Sequence, residues 1–302
     1  MSECKGEKNL MRADRYNIGD NYYINIDHIK IYVDHDNKRG KIIDTNNISI
    51  QTIKKIIYYL SKQSVDKIIC YCDIKVFGIF IKAGFEVEGK IEGYFRGEDA
   101  FCMSYFISDE RRICNDFSEK DSIIKKCLDI KNTFINVINT DFKYCIRNAT
   151  EGDIQEMIKL FSIVFSTYPS PIYDEDFLRQ TMNRKVLYKL AVHDGKIIGV
   201  ASADMNKENL NAEITDCATH PDYRGKGILS SIIYSLEIDL KKKGFITLYS
   251  LSRAINPSIN FVLSKHNYKF TGRMIENCNI CGAFEDMNIW VKNINTFSKD
   301  NI

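Results

Sequence analysis

The run His220-Pro221-Asp222-Tyr223-Arg224-Gly225-Lys226-Gly227 constrains this chain more than any other stretch. It lies between Ala212 to Thr219, which reads as a strand, and Ile228 to Lys243, which reads as an amphipathic helix. A strand that stops at proline, passes a basic glycine turn and opens a helix builds an anion site. The first helical turn offers N–H groups with no intrahelical acceptor and a partial positive charge. The glycines let the backbone approach a phosphate closely, and Arg224 and Lys226 add charge-assisted contacts. The pattern predicts a phosphate-bearing ligand held mainly by backbone.

Two phosphate loops do not fit. A P-loop requires Gly-Lys followed by Ser or Thr, whereas Gly227 is followed by Ile228 and Leu229. A dinucleotide fingerprint requires a third glycine where this chain has Ser230. The spelling Arg-x-x-Gly-x-(Gly/Ala) fits at Arg224 and Gly227, with Leu229 in the last place. In this the loop resembles the pyrophosphate loop of the GNAT superfamily of acetyl-CoA-dependent N-acetyltransferases.

Composition narrows the rest. A net charge of +2 argues against a nucleic-acid binder driven by counterion release. No apolar run approaches the roughly 18–20 residues that a membrane helix needs, and the first residues lack the apolar centre of a signal peptide. A cytoplasmic protein with no nucleic-acid or membrane partner is expected. The ten cysteines do not have metal spacing: Cys278 and Cys281 form a lone C-x-x-C, and Cys70 and Cys72 sit in an apolar run. No metal is expected.

Along the second half the pattern gives an order. Tyr144 to Arg147 reads as a strand, and Thr150 with Asp153 as the capping residues of a helix to Phe165. Asp174 to Met182 is a second helix. Val186 to Val192 and Ile197 to Met205 flank Asp194-Gly195 as a hairpin. After the loop and its helix come a strand at Ile246 to Leu251, a helix at Pro257 to His266, and strands at Tyr268 to Gly272 and Glu285 to Val291. This order of strand, two helices, three strands, helix, strand, helix and two strands is similar to the GNAT fold. The expected fold class is α/β, with a mixed, mostly antiparallel central sheet flanked by helices.

Ala83-Gly84-Phe85 and Met103-Ser104-Tyr105-Phe106 weakly repeat Asn267-Tyr268 and Met287-Asn288-Ile289-Trp290. The first half therefore reads as a degenerate, partial GNAT-like copy without a glycine loop, and no CoA binding is expected of it. Strands are expected at Ile29 to Val33, Lys67 to Cys72, Phe85 to Val87 and Phe101 to Phe106, with Asp34 to Gly40 as a turn. Asp109 to Asn136 reads as a linking helix. The expected domains are a degenerate N-terminal domain at 1–107, a helical linker at 108–142, a catalytic domain at 143–296 and a tail at 297–302.

Several segments together resemble one family, the β-lysine N6-acetyltransferases. They are Ile214 to Thr219, Tyr223 to Gly227, Ser252-Arg253-Ala254 leading to Asn260, Phe284 to Trp290 and, in the first half, Ala83 to Glu86 and Tyr94 to Gly97 through Arg111-Arg112. The resemblance implies acetyl-CoA as co-substrate and β-lysine, made by a lysine 2,3-aminomutase, as acceptor. The product, N6-acetyl-β-lysine, serves that family as a compatible solute. A polyamine or another amino acid such as lysine is the alternative acceptor. A non-catalytic acetyl-CoA-binding regulatory protein is the alternative of another class.

Acetyl transfer to an amine needs a base, because an alkylammonium of pKa ~10.4 must lose a proton before it attacks. Asp216 is the favoured base and Glu213 the second candidate. In a regular strand they would face opposite sides, and a bulge would be needed to bring them together. Backbone around Cys217, Ala218 and Thr219 is expected to pair with the pantetheine arm. The amides of Gly225, Lys226, Gly227, Ile228 and Leu229, with Ser230 and Arg224, are expected around the pyrophosphate. Asn256 stands at the helix start that commonly contacts CoA in the superfamily. Arg253 and Glu285 are candidates for the substrate's carboxylate and ammonium, and Tyr168 for a wall of the pocket. The tyrosine that many superfamily members use to protonate the thiolate is replaced by Leu263.

Overall fold

The computed structural model describes residues 21–129 and 142–295. Residues 1–20 of the expected N-terminal domain, residues 130–141 of the expected linker and the tail at 297–302 lie outside the described residues. The chain divides into two compact units. One holds the chain up to Glu88 together with Phe101–Ile113; the other holds Gly89–Ala100 and everything from Cys114 onward.

The first unit contains β1 (Tyr22–Ile26), β2 (Ile29–Asp34), β3 (Arg39–Ile42), α1 (Ile50–Ser61), β4 (Lys67–Cys72), α2 (Ile74–Lys82) and most of β6 (Glu98–Phe106). Its strands run in the order β1-β2-β3-β4-β6, with β3 and β4 parallel and the other neighbours antiparallel. Ile53, Ile56 and Leu60 of α1 recur at helical spacing and are fully buried against Ile31, Val33, Ile68 and Cys70. Gly40, expected in a turn, lies instead within β3, where an added Cβ would fall 2.4 Å from the Leu60 side chain. The close approach of α1 to the sheet explains that glycine.

The second unit begins with most of β5 (Glu86–Phe95) and continues through α3 (Phe117–Asp129), β7 (Cys145–Asn148), α4 (Ile154–Val164) and α5 (Glu175–Arg184). It ends with β8 (Val186–His193), β9 (Lys196–Asn206), β10 (Asn211–Thr219), α6 (Ile228–Lys242), β11 (Thr247–Arg253), α7 (Pro257–Lys265), β12 (Lys269–Ile280) and β13 (Ala283–Asn293). From β7 onward this is the expected order. Its sheet runs β5-β12-β13-β11-β10-β9-β8-β7, antiparallel except where β10 meets β11. Two apolar clusters cover it. Ile154, Met157, Phe161 and Leu178 from α4 and α5 pack on Tyr188, Leu190, Val200 and Ala218. Ile228, Ile232, Leu236 and Leu240 from α6 pack with Leu263 on Ala201, Ala203, Ile214, Leu248 and Trp290.

Local chemistry sets the boundaries. Thr150 and Asp153 form a reciprocal capping box ahead of α4. Asp194 and Gly195 both take left-handed backbone in the β8–β9 turn. Helix α6 ends in Lys241 and Lys242, followed by Gly244 at φ +83°. Strands β12 and β13 are longer than the apolar pattern indicates. After a register shift between Met274 and Cys278, Asn279 is held in the ladder opposite Phe284, and the hairpin turns at Cys281 and Gly282, both left-handed. The expected linking helix starts later: a single 3-10 turn at Asp109–Arg112 precedes α3, which begins at Phe117.

The first-half repeat is a repeat of topology. The order β1-β2-β3-α1-β4-α2-β5-β6 matches β8-β9-β10-α6-β11-α7-β12-β13. The connections into α1 and α6 differ in chemistry. The segment from Ile43 to Ser49 holds no glycine and no cation, and Ser49 caps α1 by accepting from Thr52 N–H at 3.1 Å. Helix α6 starts at Gly227 with no side-chain cap.

Candidate active site

The site forms where β10 and β11 separate. They pair in parallel only from Asn211–Glu213 against Thr247–Tyr249. One residue further on, the Ser250 hydroxyl donates to the Ile214 carbonyl at 2.7 Å. From Thr215 onward the β11-facing edge of β10 has no strand partner. Backbone groups there suit an extended amide-bearing ligand.

A β-bulge lies in the same stretch. Thr215 opposes Ser202 and the next pair is Ala218 with Val200, so three steps on β10 face two on β9. Asp216 takes φ +49°, a left-handed conformation that ordinarily disfavours a side chain. Thr215 pairs with Ser202 and Glu213 with Asp204. Asp216 accepts from that same Ser202, whose hydroxyl donates to Oδ2 at 2.6 Å. The bulge therefore brings Asp216 onto the face that carries Glu213, which a regular strand would forbid.

Asp216 is only 7% exposed. Burial pushes its carboxyl above the usual carboxylate range, and the charge of Asp204 adds to the push; Ser202 and Tyr168 act downward by hydrogen bonding. The Tyr168 hydroxyl is buried against Asp216 and Thr215, and burial with the neighbouring Asp216 charge raises its own pKa. Tyr168 packs its ring on Phe165, 4.7 Å between centroids, at the edge of the α4–α5 cluster. Glu213 is half-buried and accepts from the Tyr249 hydroxyl at 3.3 Å. The Cys217 thiol donates to the Thr215 carbonyl at 3.5 Å and is pushed up in pKa by burial.

Beyond β10 the loop forms a 3-10 turn at Pro221–Tyr223, capped by His220, whose Nδ1 accepts from Asp222 N–H at 3.4 Å. His220 is thus a loop-forming group. Gly225 and Gly227 lie at φ +77° and +75°. A Cβ on Gly225 would meet no atom within 4 Å, so its outer side is open. The amides of the first α6 turn have no acceptor inside the helix. Lys226 Nζ sits over the Phe142 ring at 4.2 Å, and Arg224 Nε donates to the Thr219 carbonyl at 3.4 Å. Open room, left-handed glycines and an uncapped helix start fit a diphosphate.

At the end of β11, Arg253 is joined to Glu285 of β13 through Nη2 and Oε1. Cys281 lies beside this pair, 3.9 Å from Arg253 Nη1. Partial burial acts upward on its thiol, but hydrogen bonds from Ser166 and Thr167 and the Arg253 charge outweigh it and hold it below its ordinary value. The Asn256 side chain caps α7, accepting from Ser258 N–H at 3.0 Å. Leu263 is fully buried in the core, so that position offers no proton donor.

Sequence reading did not single out Ser202 or Tyr249, and it left Asn260 without a role. Ser202 is a hydroxyl inside the apolar run Val200 to Ala203, which is a legible signal. Asn260 is fully buried and organises the β11–α7 turn. Its Nδ2 donates to the carbonyls of Arg253 and Asn256, at 2.9 and 2.7 Å. Its Oδ1 accepts from Ser252, Asn288 and Trp290.

A splayed parallel pair with a buried carboxylate at its bulge leads into an uncapped glycine helix start, an arrangement that suits a phosphate-bearing ligand. Residues 154–264 match the Acetyltransferase (GNAT) family. The chain is 38% identical over 228 residues to a beta-lysine N(6)-acetyltransferase of Methanosarcina mazei, covering 69% of this chain and 84% of the relative. It is 34% identical over 215 residues to a protein of the same name from Methanococcus maripaludis, covering 71% and 77%. To N-acetyltransferase YodP of Bacillus subtilis it is 32% identical over 265 residues, covering 87% and 95%. The chain belongs to the GNAT family and is an N-acetyltransferase. Among the described residues no helix is long and apolar enough to cross a membrane.

Proposed function

We propose that this enzyme acetylates the side-chain amine of β-lysine with acetyl-CoA, giving N6-acetyl-β-lysine. The observation that carries the reading is the pair of relatives named beta-lysine N(6)-acetyltransferase, each aligned over more than two thirds of this chain. The carboxylate set around the β10 bulge supports it, since an amine acceptor calls for acidic groups at the reacting end. A compatible-solute role for the product goes with this reading.

The co-substrate supplies an acetyl group on a thioester. The β10 edge from Cys217 to Thr219 aligns the pantetheine arm. The amides of Gly225 to Leu229, with Arg224, Lys226 and the Ser230 hydroxyl, hold the pyrophosphate. Asn256 bounds the arm at the start of α7.

Asp216 removes a proton from the substrate ammonium. Its raised pKa makes it a stronger base than an exposed carboxylate, nearer the working pH. The freed amine forms the N–C bond as the C–S bond breaks; the sulfur leaves as a thiolate, and the remaining extra proton on nitrogen passes to the thiolate or to solvent. Thiols of pKa ~8.5 are acidic enough to leave without a dedicated donor, which suits the apolar Leu263. Glu213, on the same face, draws the cation inward. Tyr168 holds Asp216 and closes one wall. Arg253 faces the substrate carboxylate and Glu285 its second ammonium, each exchanging part of their mutual ion pair for the substrate.

An amine panel tests the reading. The pure protein is given acetyl-CoA with β-lysine, lysine, a simple diamine or spermidine, and product regiochemistry is read by mass spectrometry. The expected result is highest kcat/KM with β-lysine and acetylation at N6. Preference for spermidine, or acetylation at another nitrogen, overturns it.

A further inference from the structure

A polar chain runs from the Ser230 hydroxyl at the start of α6 into the core, and beyond Ser230 the chemistry above does not use it. The Ser230 hydroxyl lies 2.7 Å from His266 Nε2. His266 is 2% exposed and closes the C-terminal end of α7. Its other nitrogen, Nδ1, lies 3.4 Å from Glu237 Oε1, about two turns further along α6. Glu237 Oε2 in turn accepts from Lys292 Nζ of β13 at 2.7 Å. Tyr268 of the α7–β12 connection completes the surround, with Lys292 Nζ 5.5 Å from its ring centroid. Two helices and a strand are thus tied together behind a single hydroxyl.

That hydroxyl is in the first turn of α6, three residues after the Gly227 cap. Facing an anion, a serine must donate its hydrogen outward, and its oxygen must then accept from behind. His266 Nε2 donates to it when both ring nitrogens carry hydrogen, Nδ1 then facing the Glu237 carboxylate. We infer that His266 is a positioning residue for the acyl donor: it orients the Ser230 hydroxyl toward the pyrophosphate site and anchors the α6 start through Glu237 and Lys292. A serine with no partner behind it would rotate, and its hydrogen would return to the Gly227 carbonyl, which the Ser231 hydroxyl already approaches at 3.3 Å. The inference rests on the reading of this loop as the pyrophosphate site.

The test compares two acetyl donors, acetyl-CoA and S-acetylpantetheine, which lacks the pyrophosphate. Ser230→Ala and His266→Phe are each expected to raise KM for acetyl-CoA about tenfold, the scale of one charge-assisted hydrogen bond. The double variant should be no worse than either single one. With S-acetylpantetheine, kcat/KM should stay within about twofold of the unaltered enzyme in all three. His266→Gln, which keeps a donor N–H, should restore most of the acetyl-CoA affinity. An equal loss with both donors, or additive losses in the double variant, overturns the inference. Should His266→Phe not fold, Ser230→Ala decides: an unchanged KM for acetyl-CoA refutes it. If the unaltered enzyme does not distinguish the two donors at all, the pyrophosphate reading itself fails, which is a separate result.

Discussion

Ser202 on β9 donates its hydroxyl hydrogen to Asp216 Oδ2 across 2.6 Å, from the residue that pairs with Thr215. This bond opposes the upward push of burial on the Asp216 carboxyl. Ser202→Ala removes it, so the carboxyl should rise further and ionise only at higher pH. The acid limb of the kcat/KM profile should move up in pH, with the alkaline plateau little changed. A profile that stays in place argues against Asp216 as the base.

Asp216→Asn should lower kcat by about a hundredfold or more while acetyl-CoA binds nearly as before. Glu213→Gln should have the smaller effect. Steady-state kinetics and calorimetry of acetyl-CoA binding check both. The reverse ranking would transfer the base role to Glu213.

The same substitution has a stability consequence. A carboxyl whose folded pKa is raised contributes stability below its unfolded pKa and loses it as pH rises through the folded value. At pH 8 the unaltered protein carries that loss and Asp216→Asn does not. The Tm of the variant relative to the unaltered protein should therefore increase from pH 4 to pH 8. A difference that is flat in pH would show that Asp216 is not held up by burial.

Arg253→Ala should raise KM for β-lysine more than for a simple diamine, because only the former has a carboxylate. The substitution also leaves Glu285 without the cation that now pairs with it. Equal effects on the two amines would make the ion pair purely structural.

Asn260→Leu keeps the branched side-chain skeleton but leaves Ser252, Asn288 and the Trp290 indole N–H without their shared acceptor. Buried donors left unmet cost roughly 1–3 kcal/mol each. Urea unfolding should show a loss of about 3 kcal/mol or more. A loss under 1 kcal/mol would mean that water or a rearranged turn replaces the acceptor.

The sequence by itself determined the element order of the second half, the glycine loop ahead of α6 and the family resemblance, because these depend on neighbours in the chain. Apolar spacing, the Thr150–Asp153 box, Asp194-Gly195 and Gly225–Gly227 act within a few residues. It also carries a weak first-half repeat of Asn267-Tyr268 and Met287 to Trp290, and the structure repeats the element order there. Only the tertiary structure decided how the carboxylates stand. Alternation puts Glu213 and Asp216 on opposite faces, and a bulge that depends on pairing with β9 brings them together. It likewise joined Arg253 to Glu285, which are 32 residues apart, and set His266 behind Ser230, 36 residues away. Partners on different elements leave no periodic trace in a sequence, and the pKa of Asp216 follows from what buries it.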